Sequence, residues 1–208
     1  MPPLRSLLLD LPWLDHGFGT RQSEGWLDGQ PVARLRQVHS DRVVRVLGQP
    51  GDFGEGDVLV TDQPGIWLEV RTADCFPVIL ADPVRQAVAL VHAGWRGVAG
   101  RILKRSLEHM GVAFGTHRPD VLAVIGPGIE ECCFEVGPEV ARQFGKAGRI
   151  RIDLVGEIYR QLEGVSQVDR VGACTRCFPA LYYSFRREAG SAGRMVTAVR
   201  KHEGRGAC

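Results

Sequence analysis

Apolar residues in this chain come in runs of three to five, and nearly every run stops at Gly, Pro or Asp. Such runs are too short for amphipathic helices and have the length and punctuation of strands. Val43-Val44-Arg45-Val46-Leu47 ends at Gly48, and Val58-Leu59-Val60 lies between Gly56-Asp57 and Asp62. Ile66-Trp67-Leu68-Glu69-Val70 follows a Pro64-Gly65 turn. Val78-Ile79-Leu80 and Ala87-Val88-Ala89-Leu90-Val91 flank Asp82-Pro83, which predicts a buried hairpin. Val121-Leu122-Ala123-Val124-Ile125 is continuously apolar, as a central strand covered on both faces requires.

Helical spacing is found in three places. Val98 to Met110 puts Ile102, Leu103, Leu107 and Met110 on one face. Pro138 to Phe144 suits a short helix with Pro near its start. Asp153 to Leu162 spaces Leu154, Ile158 and Leu162 four apart, with Asp153 as N-cap. Strands outnumber helices and tight turns join them, so the predicted class is α+β. No repeat, linker or composition break divides residues 1–208, which predicts a single domain with a frayed tail at 202–208.

Composition excludes several functions. The 26 basic and 24 acidic residues are interleaved along the chain, without the basic patch of a nucleic-acid binder. No stretch reaches the roughly 20 apolar residues of a membrane span. The Leu7-Leu8-Leu9 run stops at Asp10 with no small-residue cleavage site, so a cytoplasmic protein is expected. Six Cys are too sparse for a disulfide scaffold, which leaves metal ligands, nucleophiles or buried apolar residues.

Reactive residues gather where strands are predicted to end, in Arg36-Gln37-Val38-His39-Ser40, in Arg71-Thr72-Ala73-Asp74-Cys75-Phe76-Pro77, and in Val91-His92-Ala93-Gly94-Trp95-Arg96-Gly97. His39, Cys75 and His92 are suitable ligands for a transition metal. As a set they would leave one tetrahedral position open, the logic of a catalytic zinc site, where a bound water's pKa falls to about 7. Their wide separation in sequence also allows a metal-free Cys nucleophile with a His base, or unrelated structural residues. The Gly94-Trp95-Arg96-Gly97 turn opens a helix and could bind an anion through its backbone N–H groups and Arg96, or could simply permit close packing. Cys174-Thr175-Arg176-Cys177 has half-zinc spacing without a second such pair, and Cys132-Cys133 is a poor complement to it. All four are therefore expected to be buried structural residues. His16, His109, His117 and His202 lie in polar or loop contexts and are expected at the surface.

Taken in order, these segments resemble the laccase-domain purine nucleoside phosphorylases, the YfiH-like family formerly labelled multicopper polyphenol oxidases. The resemblance rests on His16-Gly17-Phe18-Gly19-Thr20-Arg21, Gln37-Val38-His39, Asp57-Val58-Leu59-Val60-Thr61, Thr72-Ala73-Asp74-Cys75-Phe76-Pro77-Val78 and His92-Ala93-Gly94-Trp95-Arg96-Gly97. It continues through Ile125-Gly126-Pro127-Gly128-Ile129, Cys132-Cys133-Phe134-Glu135-Val136-Gly137, Cys174-Thr175, Tyr183-Ser184-Phe185-Arg186-Arg187 and Gly193-Arg194-Met195. It departs from the family after Arg21, where the usual Gly-rich continuation is missing, and at Gly128, where a Cys is common.

The resemblance implies a single domain of mixed β-sheets in a four-layer α-β-β-α arrangement, related to bacterial toxin deamidases. It implies that His39, Cys75 and His92 are both catalytic and zinc ligands, with copper the second candidate. Arg21, Gly94, Trp95 and Arg96 are the expected substrate-binding residues. The implied partners are purine nucleosides and inorganic phosphate, in a chain that could act as a monomer. The implied reactions are phosphorolysis of adenosine, inosine, guanosine or methylthioadenosine, and deamination of adenosine. Two alternatives attach to the same residues. One is a peptidoglycan-precursor hydrolase with Cys75 as nucleophile and His92 or His39 as base. The other is copper-dependent phenol oxidation, for which six His are too few to build a trinuclear cluster.

Overall fold

The computed structural model describes residues 1–202. The strands are β1 Leu14–Phe18, β2 Val32–Arg36, β3 Val43–Arg45, β4 Gly51–Glu55, β5 Val58–Thr61 and β6 Trp67–Thr72. They continue with β7 Phe76–Asp82, β8 Ala87–Ala93, β9 Leu122–Ile125, β10 Glu135–Val136, β11 Ile150–Arg151, β12 Gln167–Arg170 and β13 Met195–Lys201. The α-helices are α1 Trp95–Ala99, α2 Ile102–Phe114, α3 Pro138–Ala141, α4 Leu154–Gln161 and α5 Phe185–Glu188. A six-stranded mixed sheet runs β12-β9-β7-β8-β5-β3, and a five-stranded mixed sheet runs β1-β13-β6-β2-β4.

The continuous apolar runs became strands buried on both faces, as predicted. On β7, Phe76, Val78 and Leu80 point into a core shared with α2 and α4, while Ile79 and Ala81 point toward the second sheet. On β8 the alternation repeats, with Ala89 and Val91 on the helix side and Val88 and Leu90 between the sheets. Leu14, Phe18, Leu35, Leu68, Val70 and Val199 of the five-stranded sheet fill the rest of the inter-sheet core. Its outer face packs Trp67 and Ala198 against Trp26 and Leu27, in a turn-rich stretch. The fourth layer is thus made of turns and a short 3-10 helix, Arg21–Ser23, rather than an α-helix.

Asp153 caps α4 as expected, its carboxylate accepting from Gly156 N at 2.8 Å. The helix predicted from Val98 to Met110 is instead two. Arg101 adopts the left-handed region (φ 65°), which breaks the chain direction between α1 and α2. The apolar spacing survives across the break because Val98, Ile102 and Leu103 all reach the same core. The tail differs at its first residue: His202 N donates to Trp13 O at 2.9 Å, and residues 203–208 lie outside the described residues. His16 is a further correction. It lies inside β1, only 3% exposed, because a strand between two layers buries its polar residues along with its apolar ones.

Candidate active site

The two sheets bring the ends of β2, β6 and β8 and the start of β7 to one edge of the molecule. His39 lies in the turn after β2, Cys75 in the turn between β6 and β7, and His92 near the end of β8. One ligand atom from each lies within 4.8 Å of the others. The two imidazoles meet edge to face with centroids 4.9 Å apart. Strands carry these residues to the site, and two left-handed residues shape the turns: His39 itself (φ 59°) and Asp74 (φ 88°). Non-glycine residues hold such angles only where their surroundings enforce them.

Asp57 enforces the first. Its fully buried carboxylate accepts from His39 N at 3.0 Å, from Ser40 N at 2.6 Å and from Ser40 Oγ at 2.7 Å, and it bonds His92 Nδ1 at 2.7 Å. Asp74 is fixed by Thr175 Oγ1 at 2.6 Å and by Arg186 N at 2.7 Å. Asp57 and Asp74 belong to motifs visible in the sequence, but their roles depend on contacts 17 to 112 residues away. Its place at the head of the Asp57-Val58-Leu59-Val60-Thr61 segment was the sequence signal for Asp57.

Electrostatics of the trio are tightly coupled. Burial pushes the Cys75 thiol up, but the His92 and His39 imidazoles outweigh it and favour the thiolate, bringing it to about 6. Burial disfavours a charged His92, yet Cys75 and Asp57 outweigh burial and raise its pKa. Burial likewise raises Asp57, and hydrogen bonds from His92 and Ser40 overcome it and keep the carboxylate ionised. The cluster thus offers one sulfur and two imidazole rings, one of them oriented by a buried carboxylate. That is the arrangement a metal-ligating histidine ordinarily has.

The glycine turn is explained by packing. A Cβ on Gly94 would stand 3.0 Å from His39 Cδ2 and 3.1 Å from Cys75 Sγ. One on Gly97 would stand 2.9 Å from Ser40 O. Close approach of α1 to the His39 turn thus requires small residues at Gly94 and Gly97.

The trio sits in a cleft of about 620 Å³, also lined by Gln37, Arg71, Trp95, Arg96, Phe134, Phe185, Arg186 and Arg194. That size suits a small ligand. Arg96 lies over the Trp95 ring at 4.3 Å. Gln37 bridges both backbone groups of Arg71, at 2.8 and 2.9 Å. Arg21 is placed elsewhere: it is ion-paired with Glu188, donates to Tyr182 O at 3.0 Å and stacks on Tyr183. It braces the segment leading into α5 and does not line the cleft. Arg71, Arg186 and Arg194, which do, were not singled out as substrate-binding from the sequence.

A two-sheet α+β domain with a His-Cys-His cluster on the floor of an arginine-rich cleft is a recognisable class of protein. The profile of the multi-copper polyphenol oxidoreductase laccase family matches residues 21–202, and the chain belongs to that family. It is 43% identical over 178 residues to a purine nucleoside phosphorylase of Deinococcus radiodurans, covering 80% of this chain and 69% of that one. It is 36% identical over 200 residues to adenosine deaminase RL5 from an unknown prokaryotic organism, covering 83% and 76%. The crystal structure of the hypothetical protein YfiH of Bacillus licheniformis superposes with a TM-score of 0.82 at 26% identity, covering 93% of this chain and 98% of that one. The mixed α+β single domain is common to both. No described helix is long and apolar enough to cross a membrane.

Proposed function

We propose that this chain is a zinc-dependent purine nucleoside phosphorylase that also deaminates adenosine. The observation that carries the reading is the placement of the His39-Cys75-His92 cluster in a cleft lined by four arginines and three large aromatic rings. The named relatives supply the reaction class.

The donor set fits zinc in both type and spacing: thiolate and imidazole are its usual ligands, and three of them leave a position open for substrate or water. Zinc held there supplies Lewis acidity toward the reacting oxygen. The chain's own residues do the rest. Trp95, Phe134 and Phe185 offer faces on which a flat purine can stack. Arg71, Arg96, Arg186 and Arg194 offer guanidinium groups suited to phosphate and its developing charge. In phosphorolysis a phosphate oxygen attacks the ribose C1′, the bond from C1′ to the purine N9 breaks, and the base leaves with its electron pair and takes a proton. In deamination water adds at purine C6 and ammonia leaves. Asp57 holds His92 in one orientation throughout.

A second reading has its own support. Cys75, His92 and Asp57 are in the order of a nucleophile, a base and an orienting carboxylate, the arrangement a Cys-dependent hydrolase of peptidoglycan precursors would use. The experiment is phosphate-dependent release of purine base from nucleosides, before and after chelation. Activity lost on chelation and restored by zinc, together with a Cys75→Ala variant that holds about one zinc fewer per chain than wild type, supports the phosphorylase. Full activity in metal-free wild type, or a covalent intermediate on Cys75, overturns it in favour of the hydrolase. Copper incorporation with an intense blue absorption would restore the oxidase reading.

A further inference from the structure

The four cysteines expected to be buried structural residues are instead gathered together, and only Cys174 is buried. Cys132 and Cys133 lie on a turn closed by Cys133 N donating to Glu130 O at 2.9 Å. Cys174 and Cys177 lie on a second turn, anchored by Thr175 N donating to Gly128 O at 3.0 Å. The four Sγ atoms all lie within 4.8 Å of one another. Cys132 and Cys177 are exposed, Cys133 is partly exposed and Cys174 is buried. The adjacent pair can face the second turn because their own turn directs both side chains the same way, which local spacing could not reveal.

We propose that Cys132, Cys133, Cys174 and Cys177 form a second metal site, a structural tetrathiolate site for one zinc ion, separate from the cluster in the cleft. The distances fit one tetrahedral ion rather than a cluster of several. Sγ of Cys132 is 3.7 Å from those of both Cys133 and Cys177, and Cys133 Sγ is 3.4 Å from Cys177 Sγ. Tetrahedral zinc with bonds of about 2.3 Å to sulfur separates its ligands by about 3.8 Å. A polynuclear iron–sulfur cluster holds its thiolates farther apart, around the corners of a larger body. Cys132 and Cys177, exposed and held this close to two further thiols without an ion, would be an oxidation liability.

The charge around the site is complementary. Arg186 donates to Cys133 O at 3.5 Å and to Glu135 O at 2.8 Å, and Arg187 donates to Thr175 O and Arg176 O at 2.9 Å each. Arg187 shares its charge with Glu188, to which it is ion-paired at 2.6 Å, so the offset to the net negative charge of a zinc tetrathiolate comes mainly from Arg186. The site has a position as well as a composition. One turn leads into Phe134 and the other carries Thr175, which holds Asp74 beside Cys75. Zinc here would fasten together two loops that frame the cleft, and its contribution to the reaction would be positional.

The test must not depend on the metal in the cleft, so it is done in Cys75→Ala protein. We expect that variant to retain about one zinc per chain, and the Cys75→Ala/Cys132→Ser/Cys177→Ser variant to retain none. A variant that fails to fold leaves a second measurement, made with the cluster intact. Cobalt loaded into Cys75→Ala protein should show the strong thiolate charge-transfer and tetrahedral ligand-field bands of an all-sulfur site. A mercurial reagent should release the zinc as the thiols are titrated. Metal-free Cys75→Ala protein whose thiols titrate freely in the native state would overturn the proposal. So would stoichiometric iron, or an intact mass lighter by two hydrogens that marks a disulfide in the cluster. Because the readout is metal content, failure here leaves the phosphorylase reading standing, and failure of that reading leaves this site standing.

Discussion

Asp57 bonds His92 Nδ1 at 2.7 Å from a fully buried position, so Nε2 is the nitrogen left free to ligate or to move a proton. The same carboxylate gathers the amides of His39 and Ser40, so one side chain fixes two of the three reactive residues. Asp57→Asn keeps the shape but removes the charge and turns one accepting oxygen into a donor. Zinc affinity should fall by roughly 10- to 100-fold, the usual scale for losing such a partner. Competition against a chromogenic chelator measures it, and unchanged affinity would reduce Asp57 to a packing residue.

Arg96 faces the cleft with its guanidinium over Trp95. Arg96→Ala should raise the phosphate KM by about tenfold, equivalent to about 1.4 kcal/mol, and change adenosine deamination less than twofold. Steady-state kinetics of both reactions decide between the roles. Equal losses in the two would show that Arg96 serves through its stacking on Trp95.

Gly94→Ala introduces a methyl group against two of the three donors, 3.0 Å from His39 Cδ2 and 3.1 Å from Cys75 Sγ. The backbone there (φ −77°) accepts alanine, so the conflict is confined to the cluster. Zinc occupancy and kcat/KM should fall by roughly tenfold or more, with far-UV circular dichroism unchanged. Wild-type metal content in this variant would mean that the His39 turn yields easily.

His16 provides a pH signature away from the cleft. Burial, helped by Arg5, lowers its pKa from 6.5 to about 4. Its Nε2 accepts from Ser6 N at 3.0 Å, which the neutral ring can do and the cation cannot. The unfolded chain therefore binds a proton between about pH 6.5 and 4 that the folded chain does not. Stability should be unaffected by this group above 6.5, fall as pH drops through that window, and level off below it, by about 3 kcal/mol in all. Urea unfolding across pH 4 to 7 measures the slope, and His16→Gln, which keeps an acceptor, should flatten it. An equal slope in both proteins would place the titration elsewhere.

From the residues alone, β5, β7, β8 and β9 of the six-stranded sheet are legible, because they are continuous apolar runs whose two faces both meet a core; β12 of the same sheet is not. Legible too are the three residues that the structure gathers in the cleft, since His39, Cys75 and His92 each follow or precede such a run and carry chemistry of their own. The sequence did not reveal β1 or β13, which carry His16, Thr197 and other polar residues into buried positions. Nor did it separate α1 from α2, because a left-handed Arg101 leaves the apolar spacing intact. The folded chain alone shows that Arg21 turns away to Glu188 while Arg71, Arg186 and Arg194 line the cleft. It alone could bring Cys132-Cys133 to Cys174 and Cys177 across 40 residues of chain. The physical reason is the range of the forces involved. Apolar periodicity records the burial of a local segment, while a ligand set or a charge-lined cleft is made by side chains whose meeting depends on how the sheets stack.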